Sequence, residues 1–465
     1  MGISGEGFSV KVIDNTVVGA EEPWNETWLP FTNLDLLVPP FDVGSFFCYK
    51  KPTSYGTTFP AIITTLKSSL SQALALYYPL AGEILWNGVA GENQIFCNNS
   101  GVDFIEAVAD VDLKELNLYN PDESIEGKLM PKRLHGVLAI QVTELKCGGM
   151  VIGCMFDHRA SDGYSANMFI SSWADLTRSD TPSMYPSFNR SILNSRSPTT
   201  YSSSIDNVFA TFVPPSKPEI NIQNHDDNGG DVLVNRVYYI EGEQLKRLQM
   251  LASENGSRRS KLEAFTSFLW KLIALCFEDH GNHNQMCNMV LAVDGRSRLS
   301  EGDGKEKEKL MASHFGNVLS MPYGGKRSQE LMEMTMSNVA TEVHEFLHSA
   351  TGKDHFLELI DWVEDRRSQP LISKAFAGRD MMSVMVSSGQ RFQIMDKMDF
   401  GWGKVAFGSC HVPSARNDCY VMTLPSPTNK EDWVVYMHLP MKQINYIEAH
   451  ASLVFKPLDA DYLKI

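Results

Sequence analysis

The sequence predicts an α/β protein of mixed sheets, organised as two domains. At 465 residues the chain exceeds what one ordinary core fills, which implies two domains of about 200 residues or more. Strand-like and helix-like stretches are mixed irregularly, without the strict strand–helix–strand repeat of a parallel array. Residues 178–230 then change character: Ser, Pro, Asn and Thr dominate, and 224–230 are wholly polar. About 50 residues of such composition fit a crossover between halves better than a simple loop.

Composition narrows the function classes. Hydrophobic residues make up 43% and charged residues 21%, the profile of a folded soluble protein. The first 30 residues lack the continuous apolar stretch of a secretory signal. Glu6 stands where a myristoylation signal wants Ser or Thr. No apolar run reaches the ~18 residues of a membrane span, so a cytoplasmic protein is expected. The net charge of −15 argues against nucleic acid and anionic membranes as partners, while leaving room for a local basic pocket. The eight cysteines are scattered with no Cys-x-x-Cys pair, which favours free thiols over a zinc ribbon or disulfides. The sequons at Asn25, Asn98, Asn189 and Asn255 are chance matches in a cytosolic chain.

In chain order, Val10–Ile13 is a short strand. The prolines of Trp28–Pro40 rule out a helix there and leave an extended apolar segment laid over a core. Asp42–Tyr49 reads as a buried strand. Ile62, Leu66, Leu70, Leu74 and Tyr77 recur at helical spacing, and Pro79 ends that helix. Residues 88–107 suggest a hairpin turning at Asn98-Asn99-Ser100-Gly101. A second hairpin joins 137–145 to 150–156 through Cys147-Gly148-Gly149. A helix with Ala166, Phe169, Ile170, Trp173 and Leu176 on one face follows. In the second half, a strand near 232–239 precedes a helix over 261–277, which Ser260 and Glu263 open as a capping box. A strand at 289–293 runs into Asp294-Gly295-Arg296-Ser297-Arg298, and 302–309 reads as a charged loop. Helices are expected over 328–347, 356–365 and 445–450, and strands over 381–386 and 433–439. There is no internal repeat.

Four clusters carry candidate chemistry. His158-x-x-x-Asp162-Gly163 places a histidine at a strand end before a helix, whose dipole disfavours imidazolium and keeps a general base neutral. The plainer reading is a half-buried histidine in a turn. Cys154 lies four strand residues away, roughly 13 Å, so no Cys–His nucleophile pair forms through this strand. Asp399-Phe400-Gly401-Trp402-Gly403 allows a tight turn and offers one indole N–H, either as an oxyanion donor or inside a structural aromatic turn. His344-Glu345-Phe346-Leu347-His348 is a formal zincin motif, and equally the wet side of an ordinary helix; no metal is expected. Ser260, Lys261, Arg296, Arg298 and Lys404 are candidate phosphate contacts, or a cap and solvated surface.

Taken together, the first two clusters resemble the paired signatures of the plant BAHD acyltransferases. The resemblance runs along the chain through Tyr77-Tyr78-Pro79-Leu80-Ala81-Gly82-Glu83, Cys97-Asn98-Asn99-Ser100-Gly101-Val102, Arg296-Ser297-Arg298 and His314-Phe315-Gly316-Asn317. Leu34–Pro40, Asp157-His158-Arg159, Tyr164–Phe169, Ser387–Phe392 and Asp432–Met437 look most like the coniferyl alcohol acyltransferases, although Ala160-Ser161 departs from that subgroup.

This resemblance implies a monomer of two similar domains in a chloramphenicol acetyltransferase-like fold, each a mixed sheet with flanking helices, and a solvent channel between them. The boundaries are 1–190, a linker at 191–231, and 232–465, with 399–420 packing back on the first domain. Acyl-coenzyme A, a co-substrate with no permanent cofactor beside it, enters one end and a small alcohol the other. His158 is then the general base and Trp402 the oxyanion donor. Asp162 pairs with Arg298 or Arg296, while Gly163, Asp399, Gly401 and Gly403 shape structure. Ser260, Lys261 and Arg296 meet the coenzyme A phosphates. The same chemistry on an amine, and a non-catalytic binding role, are the alternatives; Arg159 has no assigned role.

Overall fold

Two large sheets organise the described residues. The computed structural model describes the chain apart from residues 1–6, 22–24, 53–57, 213–231, 280, 282–283, 379–380, 393, 415 and 417. The first sheet orders its strands Val10–Val18, Val102–Ala109, Leu138–Leu145, Met150–Asp157, Asp42–Tyr49 and Phe407–His411. Val102–Ala109 and Leu138–Leu145 run parallel, and the other neighbours are antiparallel. The second sheet runs Tyr323–Arg327, Met286–Leu291, Met381–Ser388, Cys419–Pro425, Trp433–Pro440, Leu233–Ile240 and Lys456–Pro457. Both sheets are mixed. The last strand of the first sheet comes from the second half of the chain, so the halves are stitched through Phe407–His411.

Strand Met150–Asp157 is buried along its whole length, which explains its unbroken apolar run. One face meets helix Gly163–Thr177, where Phe156 packs edge-on to Phe169. The other lies so close to the 125–131 segment that a Cβ on Gly153 would sit 2.6 Å from the Leu129 carbonyl oxygen. The chain leaves this strand at Asp157, opposite Asp42, and the His158 N–H donates to the Phe41 carbonyl at 3.0 Å. The helix then starts at Gly163 and buries Phe169, Ile170 and Trp173. That strand–turn–helix step holds the histidine.

Several elements differ from the sequence reading. The hairpin near residue 90 pairs Glu83–Asn87 with Glu92–Cys97, because Asn87 Oδ1 accepts from the Val89 and Ala90 N–H groups and closes the turn there. Asn98–Gly101 instead carries the chain to the first sheet. Gly101 has φ +91°, and a Cβ would meet Val17 Cγ1 at 2.4 Å. The charged 302–309 loop is largely the start of helix Lys305–Ser313, since Lys and Glu are good helix formers and Met311 anchors it. Residues 328–347 form two helices, divided where Thr335 caps Met336–His348 by accepting from the Asn338 N–H. The 28–40 segment contains a short helical turn, Asp35–Leu37, after strand Thr27–Pro30. Of the expected linker, 213–231 lie outside the described residues; within the rest, Phe209–Thr211 pairs with Leu371–Ser373. No described helix is long and apolar enough to cross a membrane.

Candidate active site

A cavity of about 1100 Å³ lies between the two halves. The first half lines it with Leu36–Phe41, Val43, Phe47, Phe156 and Ile170, the second with Met385, Phe392, Tyr420 and Met422. His158, Arg159, Ser161, Asp162 and Gly163 all reach this wall. A Cβ on Gly163 would lie 3.3 Å from Phe392, so the missing side chain lets the loop before Phe392 approach the helix start.

His158 is half-buried, with its ring edge-on to Phe41 at 5.0 Å. Its Nδ1 is buried and has no hydrogen-bond partner. Burial pushes its pKa below the ordinary histidine value. The residue's own carbonyl and the Asp162 charge pull upward, Arg416 pushes down and the Asn317 side chain pulls up. The net effect is a neutral imidazole at pH 7, the state a general base needs.

Asp162 is buried, and its carboxylate is taken up by protein donors. Its Oδ1 accepts from the Ser165 N–H at 2.9 Å, capping the helix, and its Oδ2 accepts from the Val318 N–H at 3.2 Å. Arg296 Nη1 donates to Oδ2 at 2.8 Å. Burial alone would raise this carboxyl, but the Arg296 charge and these bonds hold it below the usual range. Of the two arginines considered for this pair, Arg296 makes it, and Arg298 is half-exposed.

Arg296 therefore corrects one expectation. It is 3% exposed, lies over the Tyr164 ring at 4.3 Å, and donates also to Asp294, Ser165 and the Gly316 and His314 carbonyls. No donor of this guanidinium is left to meet a phosphate. Ser260 and Lys261 do not line the cavity. They start helix Lys261–Asp279, where the expected capping box forms: the Ser260 N–H donates to Glu263 and the Glu263 N–H to Ser260 Oγ. Lys404 is exposed and pairs loosely with Asp396 at 3.5 Å.

Trp402 corrects a second expectation. The Asp399–Gly403 turn packs where Tyr49, at the far end of strand Asp42–Tyr49, meets Phe400 and Trp402 edge-on. Seven strand residues separate Tyr49 from Asp42, which neighbours His158, a span of roughly 23 Å. Trp402 does not line the cavity, so its N–H is out of reach of an oxyanion formed at His158. The turn is held by the Asp399 carboxylate, which accepts from Gly401 and Gly403 N–H at 2.8 and 3.3 Å, and by Arg178, which donates to the Asp399 carbonyl. Gly401 and Gly403 take φ of +104° and +128°, a region that favours glycine. The turn feeds directly into strand Phe407–His411.

The zincin-like His344 instead bonds Glu263 at 2.7 Å, with its ring stacked on His348. Arg159 acquires a role: it grips both oxygens of buried Asp157 at 2.9 and 2.7 Å, and Arg133 bridges Asp157 to Asp42. Sequence reasoning missed Asp35, Arg416, Ser45 and Asn317. Arg416 lines the cavity over the Phe41 ring at 3.7 Å and pairs with Asp418 at 2.8 Å. The hydroxyls of Ser45 and Ser161 are buried without partners on cavity-lining residues. No spacing within the sequence marks these residues: Asn317 and Asp35 meet across 282 positions, and Arg416 reaches Phe41 from the other half of the chain.

The chain matches the model of the Transferase family over residues 8–454. It is 26% identical over 454 residues to shikimate O-hydroxycinnamoyltransferase of Nicotiana tabacum, covering 95% of this chain and 99% of that protein. It is 26% identical over 450 residues to anthranilate N-benzoyltransferase protein 2 of Dianthus caryophyllus, covering 90% and 96%. The crystal structure of vinorine synthase superposes with a TM-score of 0.71 at 19% identity, over 97% of this chain and 99% of that one. With a family model spanning both halves, the chain belongs to the BAHD acyltransferases and is an acyltransferase enzyme.

Proposed function

We propose that the protein transfers an acyl group from coenzyme A to the hydroxyl of a small, flat, neutral alcohol of the coniferyl alcohol type, giving an ester. The observation that carries this reading is the apolar cavity with the neutral imidazole of His158 on its wall, the other lining histidine, His411, being paired with Glu126. Its charged lining groups are already matched: Arg159 with Asp157, Arg416 with Asp418, and Arg367 with Glu92. A neutral aromatic acceptor gains from such a lining, whereas a carboxylate would have to break an existing pair.

In this reading His158 Nε2 takes the acceptor's hydroxyl proton as the oxygen attacks the thioester carbonyl. The tetrahedral intermediate collapses, the carbon–sulfur bond breaks, and the thiolate recovers the proton from the imidazolium. The Ser45 and Ser161 hydroxyls remain to bond substrate oxygens. At the surface, the Lys261 ammonium attracts the coenzyme A phosphates; the capping box occupies the N–H groups of Ser260 and Glu263.

An amine acceptor is the second reading, favoured by the likeness to an anthranilate N-benzoyltransferase, since a neutral base serves both nucleophiles. A matrix of acyl-coenzyme A donors against alcohols and amines, read by product mass, tests both. Ester formation on phenylpropenols supports the first, amides alone establish the second, and no product from any pair contradicts both.

A further inference from the structure

We propose that Asn317 is a positioning residue for His158, holding the imidazole with its proton on Nδ1 so that Nε2 is the free base. This rests on His158 being the base. Asn317 comes from the second half of the chain and is fully buried. Its Nδ2 donates to the His158 carbonyl at 2.9 Å, to the Arg159 carbonyl at 3.0 Å and to Asp35 Oδ1 at 3.1 Å. Three acceptors around one nitrogen determine which way the amide points.

That orientation leaves Asn317 Oδ1 buried without a donor, and His158 Nδ1 is buried without a partner. The orphan acceptor and the orphan ring nitrogen thus belong to two residues already tied together by Nδ2 and the His158 carbonyl. The two atoms are not bonded to each other as the ring stands; a turn of the imidazole that brings Nδ1–H to Oδ1 satisfies both and selects one tautomer. The Asn317 side chain also acts on the ring in the direction of stabilising its protonated form. As imidazolium develops, this bond gains charge assistance, so it strengthens along the reaction path. The His158 carbonyl, the other acceptor acting on the ring, is itself held by Asn317.

Asp35 anchors the arrangement. It is 2% exposed and accepts from the Thr32 N–H and hydroxyl, both at 2.8 Å, and from the Asn317 backbone N–H at 2.7 Å. Arg190 lies 3.7 Å away. The asparagine is therefore clamped on its backbone and its amide, which a residue filling space would not require.

Two measurements on the full chain test this. In protein labelled with ¹⁵N-histidine, the wild-type spectrum minus that of His158→Ala isolates the ring at pH 7. A protonated Nδ1 with a bare Nε2 is expected, and the opposite tautomer overturns the proposal whether or not any Asn317 variant folds. In folded Asn317→Ala, turnover falls roughly tenfold or more, a part of the 10²–10⁴ that base catalysis contributes. The KM for acyl-coenzyme A stays near wild type, and the acid limb of kcat/KM moves to lower pH because imidazolium has lost an acceptor. A wild-type acid limb and turnover overturn the proposal. If His158→Ala itself retains turnover, the base assignment fails instead.

Discussion

Arg296 Nη1 lies 2.8 Å from Asp162 Oδ2, a buried ion pair that ties the loop after His158 to the second half of the chain. The pair does no chemistry on the substrate, and it holds the turn from which the histidine enters the cavity. Asp162→Ala leaves Arg296 buried beside only half-exposed Asp294. Breaking a pair of this kind costs about 3–5 kcal/mol. Urea denaturation should show that loss, while Arg298→Ala should stay within about 0.5 kcal/mol of wild type.

Trp402→Phe preserves the aromatic contact with Tyr49 and removes only the indole N–H. Steady-state kinetics should give near-wild-type turnover. An oxyanion donor would instead cost about 10²–10³-fold on removal, and a loss of that size would return Trp402 to the reaction centre.

The parts of the fold legible in the sequence are those with local causes. Asp42–Tyr49 reads as a strand to the residue because its inner positions form a dense apolar run. The 137–156 hairpin follows from its Gly148-Gly149 turn. The resemblance implies that 399–420 packs back on the first domain, but a strand at Phe407–His411 is not legible, because Gly408, Ser409 and His411 break the apolar pattern and its partner strand lies far upstream in the chain. The His158 motif is visible because its residues lie close together in the chain. Choosing between Arg296 and Arg298 is not, since two residues on a short helix point roughly 200° apart and spacing favours neither. The Trp402 expectation failed because a signature shared by relatives says that residues matter, and says nothing of where the fold places them.

Acid stability provides an independent check on the buried architecture. His314 is fully buried with both ring nitrogens unpartnered, and burial, with the Arg190 and Arg296 charges adding, pushes its pKa down to about 3. Below the ordinary value near 6.5 the unfolded chain binds a proton that the native chain refuses. Stability is therefore lost as pH falls from about 6.5 toward 3, by about 2 kcal/mol at pH 5 from this residue. Unfolding free energies at pH 7 and 5 should show the slope, and His314→Leu should reduce it by about this amount whatever its effect on absolute stability, the rest coming from His158, His355 and His438, which burial also shifts down. An unchanged slope would place the acid sensitivity elsewhere.

Lys261→Ala should raise the KM for acyl-coenzyme A several-fold, about the effect of one surface charge on a phosphate, and leave kcat unchanged. Initial rates across donor concentration measure this. An unaltered KM would move the phosphate contact to another surface.

The central claim is that His158 is the base that activates the acceptor. The direct measurement is kcat/KM of folded His158→Ala, with a donor and acceptor that wild type converts. The account predicts a fall of about 10²–10⁴-fold, with thermal stability close to wild type. A well-folded variant within about threefold of wild type, against a base contribution of that size, would contradict it.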